Sequence, residues 1–448
     1  MTFSLKREPF ILFAGDILSF LISLWLMLLL RYQKLPQGEI FLNHLRPFSI
    51  LFAVWILVFF IAGLYEKHTL IFQSGLPSRL LNAEITNAAI ATVFFYLVPY
   101  FGITPKTNLF IYIVISFILI LLWRVKGQRF LISQRKQNAV LVGSGEEMTE
   151  LKEEVNNNSR YEIKFISSVD LDEIEGLDFK EEILKTIYTE EVPVVAIDLR
   201  NEKVEPVLPN LYNLIFSKVR FVDMHKIYED IFDRIPLSLV KYNWFLENIS
   251  TTERPIFDFL KRAMDILVSL VLGILSLLLY PFIIAAILYE DGRPIFFLQE
   301  RIGKNNNMVK LIKFRSMIHH GQKNGIATKP IVTKTGSFLR KVRIDEIPQL
   351  WNVLKGDISL VGPRPEIPEL VKRYEKEIPY YNIRHLIKPG LSGWAQLYQK
   401  TPPKFDPNSD ETKVKLSYDL YYIKNRSLVL DLKVALKTLK IIFSRNGV

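Results

Sequence analysis

KRAMDILVSLVLGILSLLLYPFIIAAIL, residues 261–288, is the stretch on which the fold turns: an apolar run, Ile266 to Leu288, entered through Lys261 and Arg262 and interrupted by Pro281. It is long enough to cross about 30 Å of hydrocarbon. Proline removes a backbone donor and disrupts the preceding turn, so the run fits either a plain span or a hairpin that returns to the leaflet it entered. The charge pattern of the rest of the chain bears on that choice.

Upstream lie four further apolar stretches, Phe10 to Leu30, Phe48 to Leu64, Ala83 to Phe101 and Leu109 to Trp123, each a candidate span. The first lacks a small-residue cleavage pattern and reads as a retained span. The last is short enough to be a buried core helix instead. Counting Lys and Arg on alternate sides places Lys6, Arg7, Lys67, Arg79, Arg124, Lys126, Arg129, Arg135 and Lys136 on one face, against Arg31, Lys34, Arg46 and Lys106. That bias puts both ends of the bundle in the cytoplasm. A fifth crossing would carry a strongly basic remainder outside, so a re-entrant helix at 266–288 reconciles the counts.

Composition agrees with two kinds of part. A hydrophobic fraction of 49% accompanies a formal charge of +11, as expected of membrane spans joined to basic soluble domains. Zero cysteines exclude disulfides, thiolate metal sites and a cysteine nucleophile.

From Asn138 short β-branched runs, Ala139 to Val142, Ile163 to Val169, Val192 to Ile197 and Val219 to Val222, alternate with polar segments. The pattern is a small Rossmann-like α/β domain. Gly143-Ser144-Gly145-Glu146-Glu147-Met148 imitates a dinucleotide turn but puts Met148 where the third glycine belongs and two acids beside the phosphate position. A structural or regulatory role fits better than cofactor binding.

Between Asp291 and Glu346 twelve Lys or Arg face four acids. Arg301, Lys310, Lys313, Arg315, Arg340, Lys341 and Arg343 are spaced by apolar positions, which suits fixed phosphate ligands as well as a solvated surface beside anionic lipid. No aromatic platform or zinc spacing accompanies them, which argues against nucleic acid. Asp345 and Glu346 precede Ile347, Leu350, Trp351 and Leu354 at helical spacing, so the carboxylates open a helix with Asp345 as its N-cap. Its positive end keeps Asp345 ionised. Taken locally, the pair is a cap. The competing reading is a nucleophile beside a carboxylate able to hold a divalent cation, which the local sequence alone favours less than the cap. Gly362-Pro363-Arg364-Pro365-Glu366 holds one arginine between prolines, a rigid turn that also suits a phosphate fork.

The ordered set of Phe297-Leu298-Gln299-Glu300-Arg301-Ile302-Gly303, Lys313-Phe314-Arg315-Ser316-Met317, Leu339-Arg340, Asp345 to Asp357, Val361 to Glu366 and Lys388-Pro389-Gly390-Leu391-Ser392-Gly393-Trp394-Ala395-Gln396 resembles the bacterial sugar transferase family, the monotopic polyprenyl-phosphate phosphoglycosyl transferases. The resemblance runs from Arg254 to the C-terminus, and the preceding bundle and α/β module resemble the large members that initiate capsule, exopolysaccharide or O-antigen synthesis. It implies that Asp345 attacks the β-phosphorus of a UDP-sugar, expels UMP and passes the phosphosugar to undecaprenyl phosphate. It implies Mg2+ at Asp345 and Glu346, and phosphate contacts from Lys313, Arg340 and Arg364. Arg301 and Arg315 join them from the charge pattern. Smaller members carry Ser-Pro where this chain has Tyr280-Pro281, with Ser276 as a substitute hydroxyl one turn earlier.

The expected architecture is therefore a membrane α-helical bundle (1–130), a Rossmann-like α/β domain (137–250) and a mainly α-helical catalytic domain (254–448) with a re-entrant membrane helix (266–288). Self-association as a homodimer is compatible with the module or the spans. Leu432, Leu436, Leu439 and Phe443, opposed by Lys433, Lys437 and Lys440, pattern a C-terminal helix either for the lipid interface or for packing on the core. A membrane-anchored, NAD-dependent nucleotide-sugar dehydratase shares the first two parts, but none of the nineteen tyrosines has lysine four places on. An inactive membrane scaffold for glycan assembly is the other alternative; the intact acid pair argues against it.

Overall fold

Apolar runs of the first quarter form four helices, α1 (Glu8–Tyr32), α2 (Gly38–Ile61), α3 (Leu76–Leu97) and α4 (Pro105–Leu122), each long and apolar enough to cross a membrane. The computed structural model describes residues 8–36, 38–65, 76–98, 105–127, 136–158, 161, 163–172, 185, 192–214, 216, 219–249, 254–318, 331–399 and 409–443. Contacts divide the chain into two units, Met1–Asp230 and Ile231–Val448.

Phe20, Phe48, Phe52, Trp55, Phe59 and Tyr112 interlock as the core of the four helices. Helices α2 and α3 begin well before the apolar stretches at Phe48 and Ala83, because exposed polar residues, Glu39 and Arg46 in α2 and Ser78, Arg79 and Asn82 in α3, interrupt the hydrophobic pattern there. Arg124, in a single wide turn after α4, donates from Nε to Asp16 Oδ1 of α1 (3.3 Å), pairs with Asp16 Oδ2, and donates to the Leu64 carbonyl (2.6 Å). Tyr65 completes the group by donating to Asp16 Oδ2 (2.7 Å).

In the same unit β1 (Gln137–Gly143), β2 (Ile163–Asp170), β3 (Val194–Ile197) and β4 (Arg220–Asp223) make a parallel sheet in the order β2-β1-β3-β4, with the direction of winding reversing between β1 and β3. The helix after β1, α5 (Gly145–Asn157), starts at Gly145 with φ +80° and carries Glu146 and Glu147 in its first turn. Met148 packs into the domain, so the position expected for a third glycine is filled.

The second unit starts earlier than the expected boundary at 254. Ile235, Val240 and Trp244 share a core with Ile302, Val371, Tyr374, Leu416 and Leu420. The long apolar run forms two helices, α6 (Pro255–Leu277) and α7 (Tyr280–Asp291), bent by 58° at the break. Pro281 lies in the first turn of α7, where its missing N–H costs nothing. The Ser276 hydroxyl donates to the Gly273 carbonyl (2.7 Å) in the last turn of α6, beside the break. Leu267, Val271, Ile274, Leu278 and Phe282 are exposed, whereas Asp265, Ser269, Gly273 and Ser276 line the buried side.

This unit is less purely helical than expected. An antiparallel hairpin of β5 (Phe296–Ile302) and β6 (Met308–Phe314) follows α7, and a short parallel pair, β7 (Ser359–Val361) with β8 (Gly390–Ser392), lies further on. The C-terminal helix (Leu428–Phe443) buries Val434 and Leu436 but leaves Leu432 and Leu439 exposed. Its Lys433 and Lys437 sit over the rings of Trp394 (4.8 Å) and Tyr398 (3.4 Å), so these lysines serve packing. The Phe443 side chain lies outside the described residues.

Removing one partner of a buried ion pair strands the other charge, at a cost of about 3–5 kcal/mol. Arg124→Met is therefore expected to lower the melting temperature in detergent markedly, with Asp16→Leu/Arg124→Met recovering much of the loss. Equal melting of wild type and Arg124→Met would contradict the role given to this pair.

Candidate active site

On the hairpin, period two sets the site: Phe297 pairs with Lys313 across the strands, and Phe297, Gln299, Arg301, Lys313 and Arg315 all line one open cavity of about 1250 Å³. Asn352 ties this hairpin to the helix of the acid pair. Its Oδ1 accepts from Ile312 N (3.0 Å), while its Nδ2 donates to the Lys310 carbonyl (2.8 Å) and to Asp357 Oδ2 (3.0 Å). Gly356, at φ +95°, ends that helix (Gln349–Lys355), and Arg262 of α6 donates to the last-turn carbonyls of Val353 and Leu354, both at 2.7 Å. Lys261 and Asp265 of the same helix bond the Val361 carbonyl (3.0 Å) and Leu360 N (3.1 Å). The basic residues that flank the apolar run thus also anchor it to the site.

Asp345 is not the N-cap expected of it. The α-helix begins only after Pro348, and Ile344–Glu346 form a tighter turn entered through Arg343 at φ +57°. Ile347 N bonds Ile344 O (3.1 Å) and Leu350 N bonds Ile347 O (3.0 Å), the short i→i−3 pattern. Pro348 has no N–H with which to continue α-helical bonding back to Ile344.

Both carboxylates line the cavity with Lys313, Arg315, Arg340, Arg343, Arg364 and Arg301, so the structure brings together the acid pair and the cations expected to serve it, Lys310 excepted. Glu346 Oε1 accepts from Lys313 Nζ (3.1 Å) and from Arg364 Nη2 (2.7 Å). Burial pushes the Glu346 carboxyl up, but Arg364 and Lys313 outweigh it and hold it at about 2. Asp345 goes the other way. Burial and the neighbouring Glu346 charge raise it above the usual carboxylate range despite Lys313 and Arg340, where the helix-cap argument expected ionisation to be favoured. Its Oδ1 is buried with no hydrogen-bond partner.

The cations differ in standing. Arg301 is a brace, donating to the Pro365 carbonyl (3.2 Å) and to Gln299 Oε1 (2.8 Å). Arg315 donates to the Pro294 carbonyl (3.3 Å). Lys310 points elsewhere, exposed and 3.7 Å from Glu300. Arg364 is steadied by its prolines and by Arg384, which donates to its carbonyl (3.0 Å). Arg384 is fully buried between Glu366 (3.3 Å), Asp419 (2.8 Å) and Tyr381, and Glu366 also pairs with Lys415. This supporting layer carries no signal in the local sequence, because its members lie far apart along the chain. Among the described residues no group of three acids or histidines converges as a metal site. The donor set still fits a hard cation, since the buried Asp345 Oδ1 has no partner and Mg2+ takes few protein ligands beside phosphate.

A family model described as bacterial sugar transferase matches residues 256–445. The chain is 42% identical over 200 residues to a UDP-N-acetylgalactosamine-undecaprenyl-phosphate N-acetylgalactosaminephosphotransferase of Aeromonas hydrophila, covering 43% of this chain and 46% of that protein. It is 36% identical over 192 residues to the uncharacterized sugar transferase EpsL of Bacillus subtilis, 42% of this chain and 90% of EpsL. With an undecaprenyl-phosphate galactose phosphotransferase of Salmonella typhimurium the identity is 33% over 208 residues, 42% of this chain and 41% of that protein. The match therefore spans less than half the length of the Aeromonas and Salmonella proteins and nearly all of the Bacillus one.

Glu366, pulled to about 2 against its own burial by Lys415 and Arg384, stabilises the fold fully above about 4.5, and that contribution is lost as pH falls from there toward 2. The stability difference between wild type and Glu366→Gln, measured by urea unfolding in detergent, is expected to shrink across that window. A difference independent of pH would contradict the ion pairs.

Proposed function

The chain belongs to the bacterial sugar transferase family, and from that premise we propose that it transfers a sugar 1-phosphate from a UDP-sugar to undecaprenyl phosphate, releasing UMP and initiating a surface glycan such as an exopolysaccharide. The observation that carries the reading is the buried, unpartnered Asp345 Oδ1 in a cavity walled by cations. In the first step that oxygen attacks the β-phosphorus, and the bond to the bridging oxygen breaks as UMP leaves with the electron pair. In the second, a phosphate oxygen of the carrier attacks the same phosphorus and the Asp345 carboxylate departs.

Phosphoryl transfer asks chiefly for positioning and charge neutralisation. Lys313 and Arg364, already set by Glu346, offer fixed donors to the diphosphate, and Arg340 acts on Asp345 from the same cavity. Asp345 and Glu346 would hold Mg2+, which when bound neutralises diphosphate charge.

The bent helix pair is read as re-entrant, with both its ends and the second unit on the cytoplasmic side of the inner membrane and with α1 to α4 as a multi-pass bundle. Its exposed apolar side and the bonds from Lys261, Arg262 and Asp265 to the core support this.

UMP release from a panel of UDP-sugars, beginning with UDP-N-acetylgalactosamine, with undecaprenyl phosphate and Mg2+, tests the transfer. Asp345→Asn is expected to reduce it by on the order of 10³-fold or more. Undiminished turnover in that variant would sink the mechanism. Single cysteines placed at Arg254 and at Gly292 are both expected to label from the cytoplasm; labelling of Gly292→Cys from outside alone would overturn the re-entrant reading.

A further inference from the structure

Resting on the transferase reading, we infer that Gln396 is a positioning residue that spreads Arg343 and Arg364 into a two-guanidinium fork for the donor's diphosphate. The donors and acceptors around Gln396 are satisfied with its amide oxygen toward the two guanidinium groups, and so oriented it accepts from Arg343 Nη1 (2.6 Å) and from Arg364 Nη1 (3.1 Å). All three line the cavity with Asp345. An amide oxygen has two lone pairs, and each guanidinium has five N–H bonds, so both arginines keep donors for a ligand after the bond to Gln396.

The two arginines reach this point from different parts of the chain, and each is constrained on the way. Arg343 takes a left-handed conformation, φ +57°, two residues before Asp345. That is a sparsely populated region for a side chain with a Cβ, of the kind that surrounding structure must enforce. Arg364 is gripped by Glu346 through its other terminal nitrogen (2.7 Å) and by Arg384 through its carbonyl. Gln396 is held as firmly. Gly390 packs so close to Gly362 that a Cβ would come within 2.1 Å of the Gly362 nitrogen, and Gly362 N bonds Ser392 O (2.9 Å). The following Trp394 stacks on Tyr398 (4.1 Å) and donates to the Asp233 carbonyl (2.9 Å).

Electrostatics explains an amide here. Two guanidinium ions repel at this range, and an acceptor between them lowers that cost. A carboxylate would do so more strongly but would cancel charge the diphosphate needs. A neutral oxygen holds both cations in place with their charge intact, which is preorganisation toward an anion.

The test uses the full chain in detergent and UDP as the probe. Gln396→Leu is expected to weaken UDP binding by calorimetry at least tenfold and to raise the KM for UDP-sugar similarly, with the KM for undecaprenyl phosphate unchanged and melting as in wild type. Combined with Arg343→Met it should lose no more than the worse single variant, because both act through one fork. If Gln396→Leu melts early, Gln396→Glu carries the test; it keeps shape and hydrogen bonding but cancels a charge, and UDP affinity should fall again. Wild-type UDP affinity in a folded variant, or strictly additive losses in the double variant, overturns the inference. A wild-type chain that binds UDP through the fork yet transfers from no UDP-sugar would instead overturn the transferase reading.

Discussion

The half-buried Lys313–Glu346–Arg364 triad is the interaction on which the second unit's site depends. Three segments meet there: the hairpin strand of Lys313, the turn of the acid pair and the proline-bracketed Arg364. A carboxylate largely withdrawn from water between two cations is destabilised when either is removed. Glu346 therefore fixes the relative position of the three segments before any substrate arrives. It also leaves Asp345, one residue earlier, as the acid without a partner at Oδ1. Adjacent carboxylates thus acquire opposite characters, one held low by cations and one pushed up by burial and by its neighbour.

The scaffold behind the triad transmits position from the bent helix pair to the acid pair. Arg262 caps the acid-pair helix, Lys261 bonds the strand leading to Arg364, and Asn352 locks that helix to the strand of Lys313. On the far side Arg384 fixes Arg364 through Glu366 and Asp419. A small displacement of the bent helix pair would be felt at the acid pair through hydrogen bonds to backbone carbonyls, which is a short and stiff route.

Much of this was legible in the sequence. The apolar runs and the α/β alternation specify their elements directly, since periodicity and burial go together there. The ordered motifs gathered Lys313, Arg340, Asp345, Glu346 and Arg364, and the charge pattern added Arg301 and Arg315 to the same cavity. Three features were not legible. Ser78, Arg79 and Asn82 hid the first turns of α3, because a helix start with an exposed polar face offers no continuous apolar run to read. Asp345 reads locally as a helix cap, whereas Pro348 and the left-handed Arg343 set a tighter turn. Arg384, Glu366, Lys415 and Asp419 form a layer whose meaning exists only after folding, because each owes its role to partners distant along the chain.

In the proposed mechanism the sugar phosphate passes through the Asp345 carboxylate. The most direct measurement is peptide mass spectrometry of the chain after brief incubation with its UDP-sugar and Mg2+ in the absence of lipid acceptor. The account predicts a phosphosugar adduct on the peptide containing Asp345, which disappears when undecaprenyl phosphate is added. Complete lipid-linked turnover with no adduct at Asp345 on any timescale shorter than the turnover would contradict it.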